Sequence, residues 1–230
     1  MSIPNSCNCH NCQLKPLFYQ KINEDEFQFL CDSRSETYYP KGSLICVEGE
    51  QIKEFMYLKT GLVKLHKREN EHRDQIIKIA KPLDFVNLLS IFSGDYYKYS
   101  VTALEDSTVC YMNLSVIKSL IMKNGAFALD ILEKMNRITD DIIQTTFDIS
   151  KKNLRGRIAY VLLYFSQSIY RNNSFELPLS RKEIAEFIEM TTENVIRIMS
   201  EFRKDGILKI NGKIIEIADE NRLIGIMEHG

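Results

Sequence analysis

A chain of 230 residues can bury one large core or two modest ones, and 44% hydrophobic with 27% charged residues is ordinary for a globular fold, which sets aside a disordered or fibrous chain. The longest apolar run, Ile158–Phe165, is far shorter than the ~20 residues that span a bilayer, and no basic segment precedes an apolar one at the N-terminus, so a cytoplasmic protein is expected. The net charge of −1 conceals a small asymmetry: 151–230 carry 13 Lys+Arg against 11 Asp+Glu, while 1–150 carry 17 against 20, the sign expected if only the C-terminal part faces phosphate.

Three of the six cysteines, Cys7, Cys9 and Cys12, cluster at the N-terminus. A reducing compartment disfavours a disulfide framework, so the cluster presents metal-ligand candidates, with His10 as a further donor should the metal be zinc. The competing reading is a tail whose thiols bind nothing, with Cys110 a buried strand residue. Cys31 and Cys46 are taken as packing residues.

From Tyr38 to Met112 the pattern is of short β-type runs broken by turn residues. Ser43–Val47, Phe55–Leu58, Leu62–His66, Gln75–Ile79, Tyr99–Ala103 and Ser107–Met112 are β-branched or aromatic and partly alternating. Pro40, Gly42, Gly49, Gly61 and Pro82 separate them, which predicts a compact antiparallel barrel or sandwich. His66 and His72 are expected at the surface rather than as haem ligands.

The period then changes. Leu114–Met122 predicts a short helix and Phe127–Lys152 a long one, with Leu129, Leu132, Met135, Ile138, Ile142 and Ile149 recurring every three or four residues. Such a stripe either packs on its own domain or forms a dimer seam, and a long helix between two domains favours the seam.

The C-terminal part carries the sharpest signals. Asn153–Ser168 predicts an amphipathic helix, and a polar break at Tyr170–Ser174 follows. Ser180 with Glu183 forms a capping box that opens a helix over Arg181–Ile188. After a turn at Glu189–Thr191, Thr191 caps a second helix, Thr192–Arg203, with Gly206 as its C′ residue. Ile207–Ile210 and Lys213–Ile217, joined at Asn211-Gly212, predict a hairpin. Helix, tight turn, helix and hairpin make a winged helix-turn-helix.

That arrangement suits DNA. Glu193 and Arg197 stand four apart on one helix face. Arg can donate twice to guanine O6 and N7, and Glu can accept from cytosine N4. Thr191, Thr192 and Asn194 suit phosphate contact at a helix N-terminus, beside Ser180, and Lys209 or Lys213 in the wing suits the backbone. A surface ion pair between Glu193 and Arg197 is the bland alternative.

On these motifs the chain resembles the superfamily of the cyclic-AMP receptor protein and the fumarate-nitrate reduction regulator (CRP/FNR), from about 18 to 217. Leu179–Gly206 is similar to its helix-turn-helix, with Glu193 and Arg197 on its base-reading positions, and Pro40–Gly42, Glu48-Gly49 and Lys59–Gly61 match the turns of its roll. The resemblance implies an α+β fold: an N-terminal double-stranded β-helix of the cyclic-nucleotide-binding type, a long dimerisation helix and the winged helix-turn-helix. The expected parts are a cysteine-containing tail at 1–17, a sensor roll at 18–124, a dimerisation helix at 125–152 and a DNA-binding domain at 153–230. It further implies a homodimer on a palindromic operator in double-stranded DNA, with RNA polymerase as a further partner. A signal at the roll would shift the dimer helix and re-aim the two recognition helices.

Two departures matter. Ile196 stands where the fumarate-nitrate branch has a Ser just before the Arg, so one operator position is read differently. Nucleotide-binding members hold the cyclic phosphate with Gly-Glu and Arg-Ser pairs. Asp84–Leu89 and Tyr97–Ser100 occupy those places without the Arg, and Lys98 lacks its fork, so cyclic AMP is not the expected effector. A different small ligand would meet Asn87, Leu88, Leu89, Lys98 and Ser100. The oxygen-sensing branch holds an iron–sulfur cluster, and Ala103–Cys110 and Cys9–Cys12 resemble its cysteine-bearing segments. Cys7, Cys9, Cys12 and Cys110 would then supply the four thiolates of a [4Fe–4S] cluster, though more tightly spaced than in that branch. Zinc, no metal and an organic effector are the alternatives. No catalytic motif for hydrolysis or phosphate handling occurs, so an enzyme is not expected.

Overall fold

The computed structural model describes Ser2 and Ile3, 21–71 and 73–229. Cys7, Cys9, His10, Cys12 and His72 lie outside the described residues. The chain divides into two compact units, 1–67 with 77–141 and 68–76 with 142–230.

The first unit is built from two four-stranded antiparallel sheets. One has the order β1 (Ser2–Ile3), β2 (Arg34–Tyr39), β8 (Ser107–Asn113), β4 (Glu54–Thr60). The other runs β3 (Leu44–Cys46), β7 (Ser100–Ala103), β5 (Val63–Asn70), β6 (Arg73–Ala80). Phe55–Leu58 of β4 are all buried, because the roll interior covers one face while α2 (Leu88–Ile91) and α3 (Leu114–Lys123) pack on the strand. The segment before α2 extends this edge: Leu83 and Val86 donate backbone N–H groups to Leu58 and Met56, and Asp84 accepts from Leu58. Asn87, itself buried, closes it with Oδ1 on the Met56 N–H at 3.0 Å and Nδ2 on the Glu54 carbonyl at 2.8 Å.

Among the elements here that escaped prediction, two are instructive. β2 is polar and half-exposed, so no apolar alternation marks it, yet it pairs with β8 along Arg34–Tyr39. α1 (Glu24–Asp32) opens on a capping box between Asn23 and Glu26, a signal the sequence did carry. His66 is buried, not at the surface, with Nε2 2.9 Å from the Thr102 hydroxyl.

α4 (Gly125–Lys151) is the long helix. Phe127, Ile131, Ile138 and Ile149 are buried within the chain, whereas Leu129, Leu132, Ile143 and Phe147 are 58, 54, 61 and 51% exposed. The exposed stripe shares Leu129 and Leu132 with the anticipated one and departs from it further along, where Ile138 and Ile149 pack inside and Ile143 and Phe147 are exposed instead.

In the second unit α5 (Leu154–Leu163) starts at its N-cap Asn153 and is buried on most sides, because α7 (Thr192–Lys204) and α8 (Glu220–His229) both pack against it. It is a central helix rather than an amphipathic one. The expected continuation to Ser168 is a π-helical turn, Tyr164–Tyr170, closed by Arg171 in the left-handed region. The wider turn brings Phe165 beside Tyr170 and Phe175, with ring centroids 6.2 and 6.4 Å away. α6 (Arg181–Phe187) packs on α7. A three-stranded sheet, β10 (Leu208–Asn211), β11 (Ile214–Ile217), β9 (Ser174–Glu176), forms the wing. Its ladder closes on Asn211 and Ile214, leaving Gly212 and Lys213 as the loop. With Gly212 at φ +60°, the residue order is that of a type II′ turn. Among the described residues no helix is long and apolar enough to cross a membrane.

Candidate nucleic-acid interface

The second unit places most of the anticipated DNA-reading residues around the start of α7. The Ser180 hydroxyl accepts the Glu183 N–H at 3.2 Å, and the Glu183 carboxylate accepts the Ser180 N–H at 2.8 Å. The capping box thus sets where α6 begins. The turn to α7 needs Glu189 at φ +53°, an uncommon conformation for a side-chain-bearing residue. Arg157 fastens that turn, its Nη1 donating to the carbonyls of Ile188 at 3.0 Å and Glu189 at 3.3 Å.

Thr191 caps α7, its Oγ1 accepting the Asn194 N–H at 3.3 Å. The Glu193 backbone N–H, and after it the Thr191 side chain, hold that exposed carboxyl below the usual glutamate value. Glu193 is therefore an anion, and an acceptor only, at neutral pH. Val195, Ile198, Met199 and Phe202 bury the opposite face of α7 in the core, leaving Glu193, Ile196 and Arg197 exposed.

Arg197 does not pair with Glu193. Its Nη1 donates to Glu201 Oε1 at 2.5 Å and its Nη2 to Asn194 Oδ1 at 3.3 Å. The other oxygen of Glu201 accepts from Arg155 Nη1 at 2.7 Å, and Arg155 Nη2 reaches Asp205 at 3.1 Å. In the wing, Lys209 is engaged by Glu216 at 2.7 Å, whereas Lys213 stands exposed at the loop tip. Among the described residues Lys213 is thus the wing cation better placed for a phosphate. Sequence reasoning missed Arg155 and Glu201, which come together only through the packing of α5 on α7.

In the first unit Asn87 is committed to the backbone of β4, Leu88 is core, Leu89 is half-buried and Lys98 is exposed. The Ser100 hydroxyl accepts the Glu48 N–H at 3.0 Å. The Arg-Ser position of the nucleotide-binding members therefore offers a short hydroxyl already engaged by backbone. Burial pushes the Cys46 thiol up to about 12, so it stays protonated. Cys110 is fully buried in β8, opposite Glu36 and Tyr57. Among the described residues no three His, Cys, Asp or Glu side chains gather as a metal would require.

A family profile described as Cyclic nucleotide-binding domain matches 36–124, and one described as Crp-like helix-turn-helix domain matches 156–226. The chain is 26% identical over 233 residues to the fumarate and nitrate reduction regulatory protein of Salmonella typhimurium, covering 96% of this chain and 91% of that one. Against the protein of the same name from Vibrio cholerae it is 26% identical over 224 residues, covering 94% and 89%. Among solved structures, FixK2 from Bradyrhizobium japonicum superposes with a TM-score of 0.74 at 23% identity, covering 84% of this chain and 96% of that one. A CRP-family transcriptional regulator from Thermus thermophilus gives 0.74 at 17% identity, with coverage of 84% and 96%. The cyclic nucleotide-binding profile is thus followed by the Crp-like helix-turn-helix profile along one chain that aligns with its relatives over nearly its whole length, and the chain belongs to the CRP/FNR superfamily of helix-turn-helix transcription regulators.

Proposed function

We propose that the protein is a sequence-specific regulator that binds a palindromic operator as a homodimer and is controlled by a signal at its roll other than cyclic AMP. The observation that carries this reading is the exposed first half of α7. There an ionised Glu193, an apolar Ile196 and a guanidinium at Arg197 lie over a helix N-terminus, an arrangement that can read C, T-methyl and G edges in a major groove. Ser180, Thr191, Thr192, Asn194 and Lys213 border that face and suit phosphate oxygens.

The exposed stripe Leu129, Leu132, Ile143 and Phe147 on α4 supports a homodimer, because four large apolar side chains on one long helix find cover in a second copy. Two recognition helices related by a two-fold axis then demand a palindrome. Against cyclic AMP stands the lack of an Arg at Tyr97–Ser100, together with the structural commitment of Asn87 and Ser100. RNA polymerase is the partner through which such a regulator acts.

The finer reading of the signal is a [4Fe–4S] cluster on Cys7, Cys9, Cys12 and Cys110. Four thiolates are the donor set such a cluster takes, and it would supply redox- or oxygen-dependent chemistry. Of the four, Cys110 is fully buried in β8, and the other three fall outside the described residues. Selection of duplexes from a randomised library by the full-length protein tests the main reading, with light scattering on the complex. An inverted repeat bound by two chains is expected. Binding without sequence preference, or one chain per site, would overturn it. Iron and sulfide analysis after anaerobic purification tests the cluster. About four irons per chain are expected, and a colourless protein that still binds DNA transfers the signal to a small ligand in the roll.

A further inference from the structure

We infer that Glu201, held by Arg155, is a specificity-determining positioning residue that pre-orients Arg197 for its base. This rests on the reading of Arg197 as a base-contacting residue and deepens it. Arg197 is exposed, and a free arginine side chain carries much rotamer freedom that must be lost when its fork engages guanine. Here the guanidinium is gripped from both sides along α7. Asn194, one turn back, accepts from Nη2 at 3.3 Å, and Glu201, one turn ahead, accepts from Nη1 at 2.5 Å.

An exposed helix pair of this kind is ordinarily weak, because the acid is as mobile as the base. Glu201 is different, for its second oxygen is anchored. Arg155 donates to it at 2.7 Å and to Asp205 at 3.1 Å, so one guanidinium spans a carboxylate in the last turn of α7 and the carboxylate of its C-cap. Arg155 is itself fixed: its guanidinium carbon lies 4.8 Å from the centroid of the Phe202 ring, which is fully buried, and its backbone N–H is capped by Asn153 at 2.9 Å. The order of restraint therefore runs from core to surface, Phe202 to Arg155 to Glu201 to Arg197. Each Nη of Arg197 carries two hydrogens, so one N–H on each remains for guanine O6 and N7 while the others stay with Asn194 and Glu201.

Glu201 also sets a carboxylate beside a helix that faces phosphate, which disfavours non-specific binding. Its removal therefore separates affinity from discrimination. The test uses a duplex selected from a randomised library by the full-length protein, the same duplex with the guanine under Arg197 replaced, and a scrambled duplex. Glu201→Ala is expected to bind the scrambled duplex as well as the parent or better, yet to lose about 3- to 10-fold of the discrimination between guanine and its replacement, the range set by immobilising one rotamer-rich side chain. Glu201→Gln, which keeps an acceptor, is expected to retain part of it. Arg155→Lys, which cannot span Glu201 and Asp205 together, is expected to lose discrimination as well.

A purely structural Glu201 would change the melting temperature and the binding of all three duplexes alike. Unchanged or increased discrimination in Glu201→Ala overturns the proposal, and an increase would show Glu201 to be a competitor for Arg197 rather than its support. Arg197→Ala, measured in parallel, separates the two readings. If it too leaves the guanine preference intact, the base-reading assignment of Arg197 has failed; if it abolishes the preference while Glu201→Ala keeps it, only the positioning role has failed.

Discussion

Arg197 and Glu201 are joined by a 2.5 Å hydrogen bond one turn along α7, leaving Glu193, one turn the other way, free of any ion pair with Arg197 among the described residues. The two groups suited to base edges therefore do not neutralise each other. Arg197→Ala is expected to weaken binding to the selected operator by about 1–3 kcal/mol for each guanine it no longer reads. Binding to scrambled DNA should change little. Fluorescence anisotropy at fixed salt measures both, and an equal loss on the two duplexes would remove Arg197 from base reading.

At the N-terminus of the same helix, Thr191→Ala removes the cap on Asn194 and the hydroxyl that helps hold the Glu193 carboxylate ionised. Stability should fall by about 1 kcal/mol, and Thr191→Ser should restore most of it. Because the folded-state Glu193 pKa lies below its ordinary value of 4.5, the contribution of its carboxylate is present above that value. It is lost as the pH falls through the depressed pKa. A carboxyl titration followed by NMR should place Glu193 below 4.5 in the parent and higher in Thr191→Ala. An unmoved titration would rule out the hydroxyl as a cause.

Gly61 and Gly42 separate two costs in the roll. Both have positive φ, +86° and +85°. A Cβ on Gly61 would lie 2.3 Å from Ser107 Oγ and 2.5 Å from the Asp106 carbonyl, whereas at Gly42 nothing stands within 4 Å. Gly42→Ala should cost only the left-handed backbone penalty, about 1–2 kcal/mol. Gly61→Ala adds overpacking against a buried strand, for a total of about 3 kcal/mol or more. Urea denaturation of the two variants gives the comparison, and equal losses would mean that β8 yields freely at Ser107.

Glu189 carries strain at the turn between α6 and α7, at φ +53°. Glu189→Ala and Glu189→Gly both remove the exposed hydrogen bond from Gln75, but only glycine relieves the backbone. Glu189→Gly should be more stable than Glu189→Ala by about 1 kcal/mol in denaturant unfolding. The reverse order would place the strain elsewhere.

What could be foreseen follows the range of the physics. Capping boxes, N-caps and hairpin turns act over three or four residues, so Ser180 with Glu183, Thr191 and the Gly206 terminus stand where local chemistry puts them. The boundary at Leu163 was not legible, because the π turn that follows it packs Phe165 against Phe175, an aromatic contact outside the turn that no short segment announces. β2 was likewise hidden, since its residues are polar and its place comes from pairing with β8. His66 was expected at the surface because nothing in its neighbours along the chain announces that Thr102 waits across the sheet.

By itself the sequence determined the order of parts, the helix-turn-helix and its hairpin, and the candidate base-reading pair Glu193 and Arg197, because each depends on residue types at fixed short spacing. Only the tertiary structure decided which acid would hold Arg197. Glu193 and Glu201 are equally spaced from it along the helix, one turn away on either side. The choice falls to Glu201 because Arg155, 46 residues away in sequence, is brought against it when α5 packs on α7. Hydrogen bonds between elements are set by the burial of whole faces, and that global condition cannot be read from any short segment of the chain.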